Sequence, residues 1–240
     1  MDRSLPDVHE IWVYLAGSPL LALILTLAAY QIGVLVYERL HRHPLANPVA
    51  IAVALVATAI TAIDMPYARY FEGAQFVHFL LGTATVALAV PIHRGLKELR
   101  GRILPLFAAL FAGGATSIAS AVGMARLLGA DPSIVGGLYA KSVTAPIAMG
   151  VAERIGASPT LTAVFAITTG ILGAVLARFV LNAVGARAWW QRGFALGIAA
   201  HGIGTARAFS VNEEAGRFAS LAMGLHGILG AVLIPLWVRS

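Results

Sequence analysis

The chain has 240 residues, of which 59% are hydrophobic and only 12% are charged. A soluble domain normally carries about a quarter charged residues, so no water-soluble core could hold this excess of apolar side chains. The formal net charge of +6 comes from basic residues in short clusters between apolar runs, without an interleaved aromatic stacking platform. That pattern argues against nucleic acid as a partner and predicts a protein whose solvent is the lipid bilayer.

The apolar runs predict helices, because the stretches 20–27 and 49–59 are apolar on every face and do not alternate as barrel strands do. The run at 11–36 is too long for a cleavable signal and is expected to remain as a helix. The predicted segments are 12–37, 48–63, 75–93, 103–127, 134–151, 159–182, 193–209 and 214–238. We therefore predict an all-α polytopic membrane protein, with about seven transmembrane helices in a single domain over 1–240.

The loop charges predict the orientation in a bacterial inner membrane. The loops 38–47 and 93–102 are strongly basic, which places them in the cytoplasm and the N-terminus outside. The basic loop 183–192 should also be cytoplasmic, and this requires one preceding segment not to cross. With 193–209 and 214–238 both crossing, the C-terminus would then be cytoplasmic.

The segment 134–151 is the best candidate for a re-entrant or broken helix. Glycines, hydroxyls, a lysine and a proline interrupt it, and such a break marks a protein-lined cavity. The segments 78–91 and 201–209 share this irregular character, and each contains Gly-Thr-Ala shortly after a histidine. Paired interrupted segments predict an inverted or pseudo-symmetric repeat around a site near mid-membrane.

Lys141 is the strongest candidate for a functional residue. It is one of two lysines and lies between the apolar stretches 134–138 and 143–149. A charge inside the membrane costs about 2.5–3.5 kcal/mol on insertion scales, so such a lysine normally faces a cavity and pairs with an anion. The alternative is a lysine that snorkels from a misplaced helix boundary.

Other polar residues of the interrupted segments complete a candidate site for a small carboxylate. Arginine can bind a carboxylate with two hydrogen bonds, hydroxyls can bind hydroxyls, and histidine can relay protons, although each type also has ordinary packing or anchoring roles. The substrate-binding candidates are Lys141, Ser142, Thr144, His201, Thr205, Arg207, His78 and Thr85. The proton-coupling candidates are His201, Glu153 and His78.

No sequence pattern indicates a cofactor, a metal site or a catalytic nucleophile, and we predict that the protein is not an enzyme. The absence of cysteine excludes disulfides, iron–sulfur clusters and thiolate zinc sites. Gly-x-Gly at 202–204 lacks the preceding strand of a dinucleotide site.

Several motifs closely resemble the LrgB/CidB family of membrane proteins. These are Lys-Ser-Val-Thr-Ala-Pro-Ile-Ala at 141–148, His-Gly-Ile-Gly-Thr-Ala-Arg at 201–207, Leu-Thr-Ala-Val-Phe at 161–165, and Gly-Thr-Ala-Thr-Val-Ala at 82–87. The resemblance covers nearly the whole chain. It departs from the family at Thr83, where proline is expected.

The resemblance implies two different functions. Bacterial members are described as holin-like or antiholin-like proteins that affect murein hydrolase activity and autolysis, together with a small LrgA/CidA-type membrane partner. The family also resembles one half of a plastid glycolate/glycerate transporter, and related pairs are associated with pyruvate uptake. A homo-oligomer is compatible with either function.

We expect a secondary transporter of small monocarboxylates or 2-hydroxy acids, proton-coupled or exchanging, because a holin-like regulator has no need of a lone intramembrane lysine. In this hypothesis Lys141 and Arg207 neutralise the carboxylate, and Ser142, Thr144 and Thr205 bind hydroxyls. The alternative is a holin-like or antiholin-like regulator without a substrate. An intramembrane enzyme is a distant third.

Overall fold

The computed structural model describes residues 19–87, 89–90, 93 and 102–238, and these residues form only helices and turns. The prediction of an all-α membrane protein is therefore confirmed. In chain order the helices are α1 (Pro19–Arg39), α2 (Pro48–Ala62), α3 (Tyr67–Ala87), α4 (Ile103–Leu127), α5 (Pro132–Leu138), α6 (Ala145–Ile155), α7 (Pro159–Ala183), α8 (Trp189–Val211) and α9 (Glu213–Val238). In this part of the chain α1, α4, α7 and α9 are long and apolar enough to cross a membrane. The predicted total of about seven spans is not confirmed.

Local capping explains where several helices begin. Asn47 accepts hydrogen bonds from two backbone N–H groups of α2, and Ser158 accepts one from Leu161 at the start of α7. Asp131 accepts one from Ser133 at the start of α5. This pairing, through the side chain and the backbone of Ser133, lowers the pKa of the Asp131 carboxyl below its usual value. Each of these caps precedes a proline at the first helical turn, where its missing N–H is not needed.

The chain divides into two compact units, Met1–Ala84 and Thr85–Ser240. In the first unit α1 packs on α2, and a Cβ at Gly33 would lie 2.5 Å from the carbonyl oxygen of Pro48. The Thr26 hydroxyl donates to the Ala22 carbonyl and lies 2.7 Å from the Tyr70 hydroxyl, which links α1 to α3. The prediction of one domain over the whole chain stays a prediction.

The predicted break in 78–91 is wrong over the part that the structure describes. Helix α3 continues without interruption through Ala87. Thr83 stands where the resemblance noted above implies proline, and its hydroxyl donates to the Leu80 carbonyl within the helix. Without that proline, no missing N–H interrupts the helix at this position. Residues 88, 91 and 92 lie outside the described range.

The segment 134–151 is a broken, re-entrant hairpin, as predicted. Helix α5 leaves the end of α4 and packs Val135 against Val122 and Ala125. The chain then loses helical structure at 139–144 and returns as α6, which ends at Gly156 with φ +72°. Gly136 lies against Ala157, so the hairpin starts and finishes near the same end of the second unit. We call this the Arg126 end, after the arginine near the end of α4.

Helix α8 is a second hairpin, which is broken within the predicted irregular segment 201–209. The reversal of the chain at this break is not predicted from the sequence. His201 has φ 38° and ψ −128°, a backbone conformation that breaks the helix. A Cβ at Gly204 would lie 2.8 Å from the carbonyl oxygen of Leu196, eight residues earlier, and such a contact requires the chain to reverse. Gly202 and Thr205, which both follow the break, lie near Met223 on α9. The two halves of α8 therefore start and finish at the same end.

That end is the opposite one, which we call the Arg102 end. The Arg102 guanidinium lies 4.9 Å from the Trp190 ring at the start of α8 and 5.9 Å from the Phe218 ring near the start of α9. At the far end of α9, Trp237 packs edge-on against Tyr139, whose hydroxyl accepts a hydrogen bond from Arg126. Helix α9 thus runs from the Arg102 end to the Arg126 end.

The reversal at His201 corrects the predicted topology. The segment 193–209 does not cross the second unit, because its helix turns back at the break. The end of α9 and the start of α4 consequently lie at opposite ends of the unit. The sequence predicts that the loop 93–102, which precedes α4, and the C-terminus, which follows α9, are both cytoplasmic. Since these two positions lie at opposite ends of the unit, only one of the two predictions can be correct.

The two hairpins form an inverted arrangement. Residues 132–183 make a hairpin from the Arg126 end followed by α7, which runs to the Arg102 end. Residues 189–238 make a hairpin from the Arg102 end followed by α9, which runs the other way. This order is that of an inverted repeat, although the predicted pairing of 78–91 with 201–209 differs from it.

We expect single-cysteine labelling to detect the reversal of α8. The natural chain has no cysteine, so Arg187→Cys, Glu213→Cys and Glu153→Cys each supply one thiol, at an exposed position. A membrane-impermeant maleimide, applied to intact cells and to inverted vesicles, should label positions 187 and 213 from one side and position 153 from the other. Labelling of 213 together with 153 would contradict the hairpin.

We expect Gly197→Ala to destabilise the protein, because a Cβ there would overlap the carbonyl oxygen of Ala219 on α9. Overpacking of this kind typically costs about 1–3 kcal/mol. Gly123→Ala is the matched control, since no heavy atom lies within 4 Å of its Cβ position. Thermal unfolding in detergent should show a lower midpoint for Gly197→Ala and an unchanged or higher midpoint for Gly123→Ala.

Candidate functional site

Lys141 lies in the non-helical tip of the first hairpin and is half-buried. Its Nζ donates to the Ser117 hydroxyl on α4 at 3.0 Å. In the described part of the second unit no carboxylate contacts this ammonium group. The tip is therefore a site of uncompensated positive charge.

The residue after Lys141 connects the first hairpin to α9. Ser142 and His226 are both buried, and the Ser142 Oγ lies 3.1 Å from the His226 Nε2. Gly114 on α4 makes room for the imidazole, since a Cβ there would lie 3.0 Å from its Cε1. The predicted hydroxyl ligand Ser142 is thus already engaged by a protein partner.

Thr144 presents the start of α6 to the same region. Its buried Oγ1 has no hydrogen-bond partner, and it does not cap the helix. The N-terminus of α6 carries unpaired N–H groups and the positive end of the helix dipole. A free hydroxyl, a helix N-terminus and an ammonium group therefore lie together at the hairpin tip, and all three favour an anion.

His201 and Thr205 belong to the tip of the second hairpin and are buried. The His201 Nε2–H donates to the carbonyl oxygen of Ala166 on α7 at 2.8 Å. The ring lies directly on Gly170, where a Cβ would be 2.8 Å from its Cε1. The Thr205 hydroxyl donates to the carbonyl of His201, four residues earlier, and so adds a hydrogen bond to the backbone at the break.

The structure brings together some of the predicted site residues and separates others. Arg207 is half-buried on the returning half of α8, six residues after the break and about 9 Å along the helix. Glu153 is exposed near the Arg126 end of α6 and contacts neither His201 nor His226. The side chains of His78 and Thr85 lie outside the described part of the chain.

Two site residues were missed by the sequence reasoning, namely Ser117 and His226. Ser117 is 24 residues from Lys141, and His226 is 84 residues from Ser142. Only their positions midway along apolar helices mark them, as a polar residue at such a depth requires a partner. Among the described residues no group of three histidine, aspartate or glutamate side chains could hold a metal ion.

These features define a multi-pass membrane protein with two helices that are broken inside the protein. The family model described as the LrgB-like family matches residues 26–240. The chain therefore belongs to this family, and the predicted resemblance is confirmed. No solved structure gives a significant match.

Curated relatives match along nearly their whole length. The holin-like protein CidB of Staphylococcus epidermidis is 27% identical over 218 residues, which are 91% of this chain and 95% of the relative. The uncharacterized protein YwbG of Bacillus subtilis is 31% identical, over 90% of this chain and 96% of the relative. The CidB protein of Staphylococcus aureus is 26% identical, over 91% and 95%.

The names of these relatives favour the holin-like alternative over the transporter hypothesis. The two CidB proteins are named holin-like, and neither name describes an enzyme. The similarity to these bacterial proteins also agrees with the prediction of a bacterial multi-pass membrane protein.

We expect Ser142→Ala to destabilise the protein by about 1–3 kcal/mol, because it leaves the buried His226 without its partner. Thr144→Val is the comparison, since it removes a hydroxyl that has no hydrogen bond and keeps the side-chain volume. Thermal unfolding in detergent should show a lower midpoint only for Ser142→Ala. Equal midpoints for the two variants would mean that the bond to His226 does not contribute to stability.

Proposed function

We propose that the protein is a holin-like membrane protein that affects murein hydrolase activity and autolysis. The observation that supports this proposal is the near full-length similarity to two CidB proteins named holin-like. In this function the protein acts through the membrane, alone or with a small LrgA/CidA-type partner, and binds no substrate.

The measurement that tests it is the rate of autolysis of cells that express the chain at graded levels. The rate should change with the amount of protein, and it should change equally for Lys141→Ala, because this function gives Lys141 no ligand. An unchanged rate at every level would contradict the proposal.

A second candidate function is transport of a small monocarboxylate, and one feature of the site favours it. Lys141 is a half-buried ammonium group whose described hydrogen-bond partner is the neutral Ser117 hydroxyl. An intramembrane charge normally has a counter-ion, and no carboxylate in the described part of the second unit contacts this ammonium group. A bound carboxylate would be that counter-ion.

The two opposed hairpins support the same function. Discontinuous helices that meet near the middle of the membrane are the usual setting of binding sites in secondary transporters, where half-helix N-termini point at anionic groups. Helix α6 and the returning half of α8 both begin at the hairpin tips. Alternating access would then move one hairpin at a time, with His201 as a candidate for coupling to protons.

We expect Lys141→Ala to abolish uptake of labelled monocarboxylates into proteoliposomes. Loss of one partner of a buried charge pair typically costs about 2–5 kcal/mol, or about 30-fold to several thousand-fold in affinity. Lys141→Arg should also fail, because a planar guanidinium does not replace a compact ammonium group in a small pocket. Arg187→Ala, at an exposed loop position, is the matched control and should transport normally.

The two functions give different results in these assays. Uptake that is lost in Lys141→Ala and kept in Arg187→Ala supports transport. An autolysis effect without uptake of any carboxylate, in wild-type protein and variants alike, contradicts transport and leaves the holin-like function.

A further inference from the structure

A groove leads from Lys141 to the Arg102 end of the second unit. Its volume is about 880 Å³, and its walls are α4, α7 and the first half of α8. Lys141 lies on its lining, together with Thr116, Ser117 and Thr169. The groove therefore gives the uncompensated ammonium group a route to one membrane surface.

The groove is long and narrow. Its lining on α4 runs from Pro105 to Ser117 and on α7 from Thr169 to Leu181, twelve residue steps in each case. At about 1.5 Å per residue this is roughly 18 Å. Half of the hydrocarbon core of a bilayer is about 15 Å, so the groove spans the distance from mid-membrane to the surface.

Its polarity changes along its length. The deep end carries Lys141 and three hydroxyls, whereas the walls beyond it are aliphatic, among them Leu172, Leu176 and Ile198. Polar groups return only at the mouth, where Gln191 and Trp190 lie, with Arg102 4.9 Å from the Trp190 ring. A ligand that fits these walls has an anionic head and an apolar body.

The direction of this polarity distinguishes between occupants. A membrane phospholipid has its charge at the surface and its chain ends at mid-membrane, the reverse of what the groove offers. A polyhydroxylated acid would place hydroxyls against aliphatic walls without hydrogen bonds, which is unfavourable. An apolar helix would fill the walls and leave Lys141 without a counter-ion.

We propose that this groove binds monocarboxylates with an unbranched alkyl chain. The carboxylate contacts the Lys141 ammonium and the Ser117 hydroxyl, and the alkyl chain extends along α4 and α7 toward Trp190. This inference rests on the carboxylate site of the transport proposal and specifies its substrate class. It also identifies Thr116, Ser117 and Thr169 as residues that surround the carboxylate.

The test is the dissociation constant of acetate, butyrate, hexanoate and octanoate, measured with the full chain in lipid nanodiscs. Empty nanodiscs, measured in parallel, correct for partition of the acids into lipid. Each buried methylene should improve affinity by about fourfold. Glycerate should bind more weakly than butyrate, because its hydroxyls meet aliphatic walls.

A pair of tryptophan variants locates the alkyl chain. Ala109 lines the groove and is exposed on α4, so Ala109→Trp should obstruct the chain without contact with Lys141. Octanoate affinity should fall at least tenfold, and acetate affinity should not change. Ala108→Trp, on the neighbouring exposed position outside the groove lining, should bind both acids as the unsubstituted protein does.

The outcomes separate this inference from the proposal on which it rests. If acetate and glycerate bind in a Lys141-dependent manner without any gain from longer chains, the alkyl groove is wrong and the carboxylate site stands. If no acid binds, or if binding is the same in Lys141→Ala, both are wrong. If Ala109→Trp changes the oligomeric state and leaves octanoate affinity unchanged, the groove is covered by another helix and the inference is overturned.

Discussion

The backbone breaks at 139–144 and at His201 impose the constraint on which the rest of this unit depends. Hydrocarbon offers no hydrogen bonds, so N–H and C=O groups that leave a helix must be satisfied by protein. The Thr205 hydroxyl donates to the His201 carbonyl, and the His201 ring in turn binds the Ala166 carbonyl. Each hairpin tip therefore has to lie among other helices, and this requirement brings polar residues of both tips to the middle of the unit.

Close contact between helices follows from the same constraint. The two hairpins turn back inside the second unit, so they must pack tightly against other helices to remain buried. Gly193 and Gly197 lie directly on the α9 backbone at Ala215 and Ala219, and Gly173 lies on Ala200. Small residues allow backbones to approach closely where apolar burial gives no driving force between helices. The glycine spacing of α8 therefore fixes the register between the second hairpin and α9, and so the position of His201.

The sequence predicted several helix boundaries, the first hairpin and an irregular segment at 201–209, but not that this segment turns the chain back as a second hairpin. Helix α3, predicted at 75–93, begins at Tyr67. Hydropathy located 103–127 and 159–182 to within one residue, and the glycines and proline of 134–151 revealed its break. The composition of 201–209 indicated an irregular segment, and the break lies at its first residue, His201. The reversal of the chain there has no local signature, because it depends on how both halves of α8 pack against α7 and α9. For the site, the sequence identified Lys141 by its isolation, whereas Ser117 and His226 became neighbours only through packing of distant segments.

The inverted order of the two hairpin halves has a consequence for insertion into the membrane. Because the two halves point in opposite directions, the packing of the helices does not itself set the orientation of the protein in the membrane. The charges at the two ends then determine the orientation. The Arg102 end carries five arginines against Glu213 and Glu214, namely Arg102, Arg178, Arg187, Arg192 and Arg217, while near the other end Arg126 and Arg154 are balanced by Asp131 and Glu153. By the positive-inside rule, this excess of arginines is expected to decide which compartment the groove faces.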